Sequence, residues 1–195
     1  MSIRLGILGI GSMGRHHVRN ARATQGVELV ALADPGGDRF GVAGDLPVLG
    51  GVEELIEAGI DAAIIAAPTA HHEAAALALA EAGVHTLVEK PLATSVEAGT
   101  RIRDAFAAAG LVGAVGYVER CNPALIDMRR RISEGQLGEI EQIATRRQSP
   151  FPARISDVGV VKDLATHDVD LAAWVAGAPY ESIYARTSAR SGRVH

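Results

Sequence analysis

The sequence predicts an α/β fold: a doubly wound parallel sheet followed by a partial C-terminal α/β domain with an incomplete open sheet. Three observations carry this. β-rich apolar runs alternate with helix-period segments as far as Tyr117. A glycine-rich turn joins the first such run to the first helix. Beyond Tyr117 the rhythm changes to helix, alternating run, helix, and a last short run before residue 195.

Residues 3–8 (IRLGIL) read as the first strand, 13–24 as a helix, and 27–33 (VELVALA) as a second strand ending at Asp34. The stretch DPGGDRFGVAGD is a poor helix, because each interior glycine costs about 1 kcal/mol relative to alanine. Residues 46–49 form a short strand and 51–58 a short helix. The run 61–67 (DAAIIAA) is a buried-type strand cut by Pro68, and the alanine-rich segment 71–82 is a strong helix. A strand at 84–88, a helix at 95–109 and a strand at 111–117 complete a first domain, 1–118. In the second, 119–195, residues 123–134 form a basic amphipathic helix and 139–147 (EIEQIATRR) alternate like a half-exposed strand. A helix at 160–176 and a strand at 181–187 follow. Two strands alone are marginal, and the last would leave an open edge. The expectation is therefore a chain cut short, or a sheet completed by another copy in a homo-oligomer.

Composition narrows the function classes. Apolar residues make up 48% and charged residues 22%, as in ordinary soluble domains. The net charge of −4 carries no basic footprint for nucleic acid and no polybasic membrane patch. Apolar stretches break before the roughly 20 residues a membrane helix needs. The apolar N-terminus runs straight into the glycine turn and reads as a strand, not a signal peptide. Cys121 is the single cysteine, which fits a reducing cytoplasm and reads as a small packing residue.

Gly9-Ile10-Gly11-Ser12-Met13-Gly14 is G-x-G-x-x-G, set between strand and helix and 20 residues before an acid, Asp34, that ends the next strand. That whole context is the fingerprint of a Rossmann dinucleotide site. Gly9 permits the tight turn, Gly11 lets backbone approach a diphosphate, and Gly14 lets helix and strand pack closely. The helix N-terminus offers N–H groups and a positive dipole end to phosphates. Asp34 is placed to accept from the adenosine ribose hydroxyls and to repel a 2′-phosphate, which favours NAD over NADP; Arg39 is the one nearby cation able to offset it.

Lys90 ends a strand at the edge where parallel sheets bind ligands, although a lysine there is often merely solvated. Asp163 and His167 are four apart on the expected helix, with Asp170 three further. That spacing suits a carboxylate-supported proton acceptor, an incidental pair, or a metal set D-x-x-x-H-x-x-D. His16-His17 and His71-His72 point about 100° apart within each pair, so neither chelates one ion easily. His16 and His17 read as helix surface or sheet packing, whereas His72 opens the helix after Pro68 and faces the cofactor edge. Arg146, Arg147 and Arg154 suit a substrate diphosphate or carboxylate, against the rival of a solvated strand face.

The segments GIGSMGRHH, AAPTAHH, VEKPLA, GYVERCNPA and DLATHDVD, in this order, resemble the glucose–fructose oxidoreductase / inositol dehydrogenase / MocA family. The stretch from Arg146 to Asp170 is most similar to its nucleotide-sugar dehydrogenases of the UDP-N-acetylglucosamine 3-dehydrogenase type. The resemblance implies a Rossmann domain, then a C-terminal domain with a large open sheet, and hydride transfer between NAD and a secondary alcohol of a sugar or nucleotide sugar. It implies that Lys90 contacts the reacting hydroxyl, that His167 accepts its proton and that Asp163 assists. It places Ala67, Pro68, Thr69 and His72 around the cofactor and Glu89 beside the nicotinamide. Tyr117, Arg120, Asn122 and Arg154 are the candidate substrate contacts, and no resident metal is expected. The alternative is a dinucleotide-binding fragment or sensor without catalysis.

Overall fold

The computed structural model describes residues 2–148 and 161–188. The chain divides into two compact units, Met1–Gly116 and Tyr117–His195.

The first unit is a six-stranded sheet. Its strands are β1 (Ile3–Leu8), β2 (Val27–Ala33), β3 (Val48–Leu49), β4 (Ala62–Ile65), β5 (His85–Glu89) and β6 (Gly113–Gly116). They lie in the order β3-β2-β1-β4-β5-β6, and every pairing is parallel. The helices are α1 (Gly14–Ala23), α2 (Val52–Glu57), α3 (His72–Glu81) and α4 (Val96–Ala108), with a 3-10 turn at Thr69–His71 leading into α3. This order reverses direction between β1 and β4, and ligands of such sheets bind outside the carboxyl ends of the strands at that switch point.

Alternation along β1 explains why both faces are covered. Leu5 and Ile7 enter one apolar cluster with Ile10, Val18, Ala21 and Leu32, beneath α1. Leu8 enters the other with Leu55, Ile65, Leu79, Val88, Ile102 and Phe106, beneath α2, α3 and α4. Gly6 points to that second face with no side chain, and a Cβ there would stand 2.9 Å from Ile60 Cδ1. A strand buried on both sides has to be apolar at odd and even positions alike, as β1 is. Helix starts follow local chemistry. Ser95 caps α4 by accepting from the Ala98 N–H at 3.2 Å, and Gly83, at φ 76°, turns the chain after α3.

The second unit carries a 3-10 turn (Val118–Cys121), α5 (Pro123–Ser133), a π-helical turn (Val161–Ala165) and α6 (Thr166–Ala176), which stops at Gly177 with φ 67°. Asn122 caps α5 by accepting from the Ala124 N–H, and Pro123 occupies its first turn. The strands expected at 139–147 and 181–187 are not formed. Their backbones are exposed and no ladder partner lies beside them among the described residues. Alternation alone sets which side chains face one way; the hydrogen bonds of a strand have to come from a neighbour. The helix expected at 160–176 begins as a π turn, so its first residues follow i→i+5 bonding before α geometry takes over. Cys121, expected in packing, is exposed, because the short turn it ends buries none of its residues. No helix among the described residues is long and apolar enough to cross a membrane.

Leu79 has no exposed surface and lies in the larger cluster. Leu79→Ala is expected to lower stability by about 3 kcal/mol, read as an earlier urea midpoint with an unchanged slope.

Candidate functional site

The glycine-rich turn is built as its spacing requires. Gly9 sits at φ 86°, and a Cβ on it would stand 2.6 Å from the Ala67 nitrogen, so β1 and the end of β4 touch backbone to backbone there. A Cβ on Gly14 would fall 1.8 Å from the Gly9 carbonyl oxygen. Only glycine lets the first turn of α1 close over the strand end. Gly11 differs: a Cβ there would meet nothing within 4 Å. Its freedom answers no packing need of the fold; it leaves open space above the turn. No side chain caps α1 and no acid stands in its first turn, so its dipole faces that space uncompensated.

Asp34 anchors the turn from the next strand. Its Oδ2 accepts from the Ile10 N–H at 3.0 Å and its Oδ1 from the Gly36 N–H at 2.7 Å. Each oxygen of a carboxylate keeps a further lone pair after one bond, so a diol can still be received there. Arg39 lies close by, its Nη2 2.9 Å from where a Gly36 Cβ would be. Arg15, on α1, stacks its guanidinium 4.8 Å over the Phe40 ring and so ties α1 to the glycine-rich loop that follows Asp34.

At the ends of β4 and β5 the polar residues are buried. Thr69 is 7% exposed, His72 1% and Glu89 7%. The His72 ring spans two loops: Nε2 lies 2.8 Å from the Ala67 carbonyl and Nδ1 3.0 Å from the Pro91 carbonyl. Both partners are carbonyls, which only accept, so either neutral tautomer of the His72 ring donates to one of them and packs against the other. Lys90 is half-buried, and the Lys90–Pro91 peptide is cis. Glu89 Oε1 bonds the His17 Nε2 at 2.7 Å, and Oε2 accepts from the Lys90 N–H at 3.2 Å. The sequence reading missed His17, which it left as surface or packing. The available signal was its place one turn past Gly14, on the helix that crosses the sheet edge.

In the second unit Asp163 is buried within the π turn and His167 is half-buried in the first turn of α6. Asp170, the third member of the possible metal set, is bound by Arg120, Nε to Oδ2 at 2.8 Å with Nη2 on Oδ1. Among the described residues no group of three or more His, Cys, Asp or Glu is gathered for a metal. Arg120 also lies 5.3 Å over the Tyr117 ring. Burial, and then the Asp170 carboxylate, push the Tyr117 phenol above its ordinary range, while Arg120 pulls the other way. Arg147 is exposed and pairs with Asp168 at 3.1 and 3.3 Å, on a segment that forms no strand. Arg154 lies outside the described residues.

A cavity of about 510 Å³ opens between β5, β6 and α4, lined by Leu92, Ile102, Phe106, Leu111 and Val115 among others. Arg103 is its one charged lining residue, and it lies away from the glycine turn. A diphosphate needs amides and a dipole, which the turn offers and an apolar wall does not.

The sequence model for an oxidoreductase family with an NAD-binding Rossmann fold matches residues 3–117, and that for the GFO/IDH/MocA C-terminal domain matches 125–194. The chain belongs to the Gfo/Idh/MocA oxidoreductase family. It is 30% identical to inositol 2-dehydrogenase 2 of Saccharopolyspora erythraea over 98% of its own length and 59% of that protein's. It is 32% identical to UDP-N-acetylglucosamine 3-dehydrogenase of Acidithiobacillus ferrooxidans, covering 90% of the chain and 55% of that protein. The crystal structure of the WlbA dehydrogenase from Bordetella pertussis, in complex with NADH and UDP-GlcNAcA, superimposes with a TM-score of 0.83 at 28% identity, over 99% of this chain and 60% of that one. The chain thus spans less than two thirds of the length of these relatives.

The contrast between two glycines is testable. Gly11→Val should leave the unfolding midpoint nearly unchanged and weaken NAD binding by about a hundredfold or more, the cost of an unrelieved clash of about 3 kcal/mol. Gly14→Ala should instead destabilise the fold itself. Calorimetry of binding beside thermal unfolding reads both. A second check lies in the other unit: the ultraviolet titration of Tyr117, isolated by difference against Tyr117→Phe, should have its midpoint above about 10 and move down in Asp170→Asn.

Proposed function

We propose that the protein is an NAD-dependent dehydrogenase that moves a hydride between the cofactor and a secondary alcohol of a sugar or nucleotide sugar. The observation that carries this reading is the pairing, at one edge of one sheet, of an uncapped glycine turn braced by Asp34 with a strand end that carries Glu89 and Lys90. The cofactor supplies the hydride chemistry when bound. The chain's part is to seat it and to handle charge and proton. The amides of Ser12, Met13 and Gly14 and the dipole of α1 receive the diphosphate, with open space over Gly11 for its approach. The remaining lone pairs of Asp34 receive the ribose diol. A phosphate on that diol would meet the carboxylate, so NAD is the expected partner and NADP the poorer one.

Ala67, Pro68 and Thr69 flank the cofactor from the loop that packs against the His72 ring. Lys90, as an ammonium, stabilises negative charge developing on the substrate oxygen. His167 takes up the hydroxyl proton, with Asp163 supporting it. Tyr117 offers the sugar a hydroxyl contact. Asn122 gives its amide oxygen to the α5 cap and Arg120 gives two N–H groups to Asp170, so the Asn122 amide N–H groups and the remaining guanidinium N–H groups are what these two offer a substrate.

Relatives named for inositol and for a UDP-sugar set the substrate panel: cyclitols, free sugars and nucleotide sugars. On full-length protein, His167→Ala should lower NAD reduction by about a hundredfold to ten-thousandfold while NAD affinity stays near wild type. Turnover at the wild-type rate would remove His167 from the proposed role. NAD should bind about tenfold or more tightly than NADP, a like-charge penalty of roughly 1–4 kcal/mol. NADP binding equal to NAD would overturn the reading of Asp34. Tight NAD binding with no reduction on any member of the panel would favour a sensor.

A further inference from the structure

Glu89 is a carboxylate with 7% exposure at the end of a central strand. Burial of such a group is costly unless its oxygens are bonded. Both are. Oε1 lies 2.7 Å from His17 Nε2 and Oε2 accepts from the Lys90 N–H at 3.2 Å. The neighbouring strand makes room: a Cβ on Gly116 would stand 2.9 Å from Glu89 Cδ. A carboxylate only accepts, so the ring Nε2 donates. The origin of that ring is fixed as well. His17 stands on α1 between Gly14, closed against the Gly9 carbonyl, and Val18, 1% exposed in the core beneath the helix.

We infer that His17 is a positioning residue for Lys90. Its ring holds the Glu89 carboxylate, and the other oxygen of that carboxylate holds the Lys90 backbone. The helix that seats the diphosphate and the strand end that carries the lysine are thereby locked as one piece. The Glu89 side chain acts between two protein elements. This role rests on the proposed function of Lys90. Misplacing a reacting group by about 1 Å can cost about a hundredfold in rate, so such a lock has a catalytic consequence without touching substrate.

The test uses full-length His17→Phe, which keeps ring size and removes the donor, and His17→Gln, which keeps a donor. Three quantities are read on each: hydrogen exchange at the Lys90 amide, the Kd for NAD from calorimetry, and kcat. His17→Phe should speed exchange at the Lys90 amide by about tenfold, as loss of a bond of order 1 kcal/mol would, and lower kcat by about a hundredfold. The Kd for NAD should stay within about a factor of two, because the turn amides and Asp34 are untouched. His17→Gln should recover most of both losses. Unchanged exchange at Lys90 in His17→Phe, or a loss of kcat matched by an equal loss of NAD affinity, overturns the inference. Failure of His17→Gln to recover either quantity contradicts it too. Lys90→Met separates this from the proposed function: wild-type turnover in that variant defeats the role of the lysine, while the exchange measurement still decides that of His17.

Discussion

Everything at the sheet edge depends on the bond from Asp34 to the Ile10 amide and on the contact it allows, Gly14 lying against the Gly9 carbonyl. A turn that tight cannot be held by side chains of its own, since its glycines have none. It is held from outside, by an acid just after β2 and by the backbone of Ala66 and Ala67 after β4. Three strands thus meet at one glycine turn. The orientation of α1, and with it the direction of the helix dipole, follows from that meeting. Removing any one strand end would release the N-terminus of α1 from the turn.

A second set of ties runs between β4, β5 and α1. The His72 ring lies between the Ala67 and Pro91 carbonyls and donates to one of them, and His17 connects α1 to Glu89. Both are buried or half-buried imidazoles on the first turns of helices that follow glycine or proline breaks. The histidines of the two adjacent pairs therefore do different work according to which one faces inward: His72 is enclosed, whereas His71 faces solvent.

The first unit was largely legible in the sequence. Its strands are apolar on both faces, its turns are marked by glycine or proline, and its order follows from parallel connections through helices. Strand ends were less so: the runs 61–67 and 111–117 shorten to Ala62–Ile65 and Gly113–Gly116, because ladder partners and not composition set their length. The shape of the glycine turn and its brace by Asp34 could be read because Gly9 and Gly14 each have a distinct steric duty. His17 could not, because its partner stands 72 residues away and the pair is made only by the crossing of α1 over the sheet. In the second unit α5 was legible as a basic amphipathic segment, to which the structure adds the Asn122 cap and the ion pairs Asp127–Arg130, Asp127–Arg131 and Arg130–Glu134. The alternating run 139–147 and the run 181–187 were read as strands, yet a strand is a property of a pair of segments and neither has its partner among the described residues. The π turn at Asp163 carried no mark in composition at all.

The central claim is that the glycine turn and Asp34 are the seat of the dinucleotide. Amide chemical-shift mapping of the isotope-labelled protein during an NAD titration tests it most directly. The account predicts that the largest shifts cluster at the amides from Ile10 to Gly14 and at Gly36, with Ile102 and Phe106 beside the apolar cavity unmoved. Shifts at those two residues, with the turn silent, would contradict it.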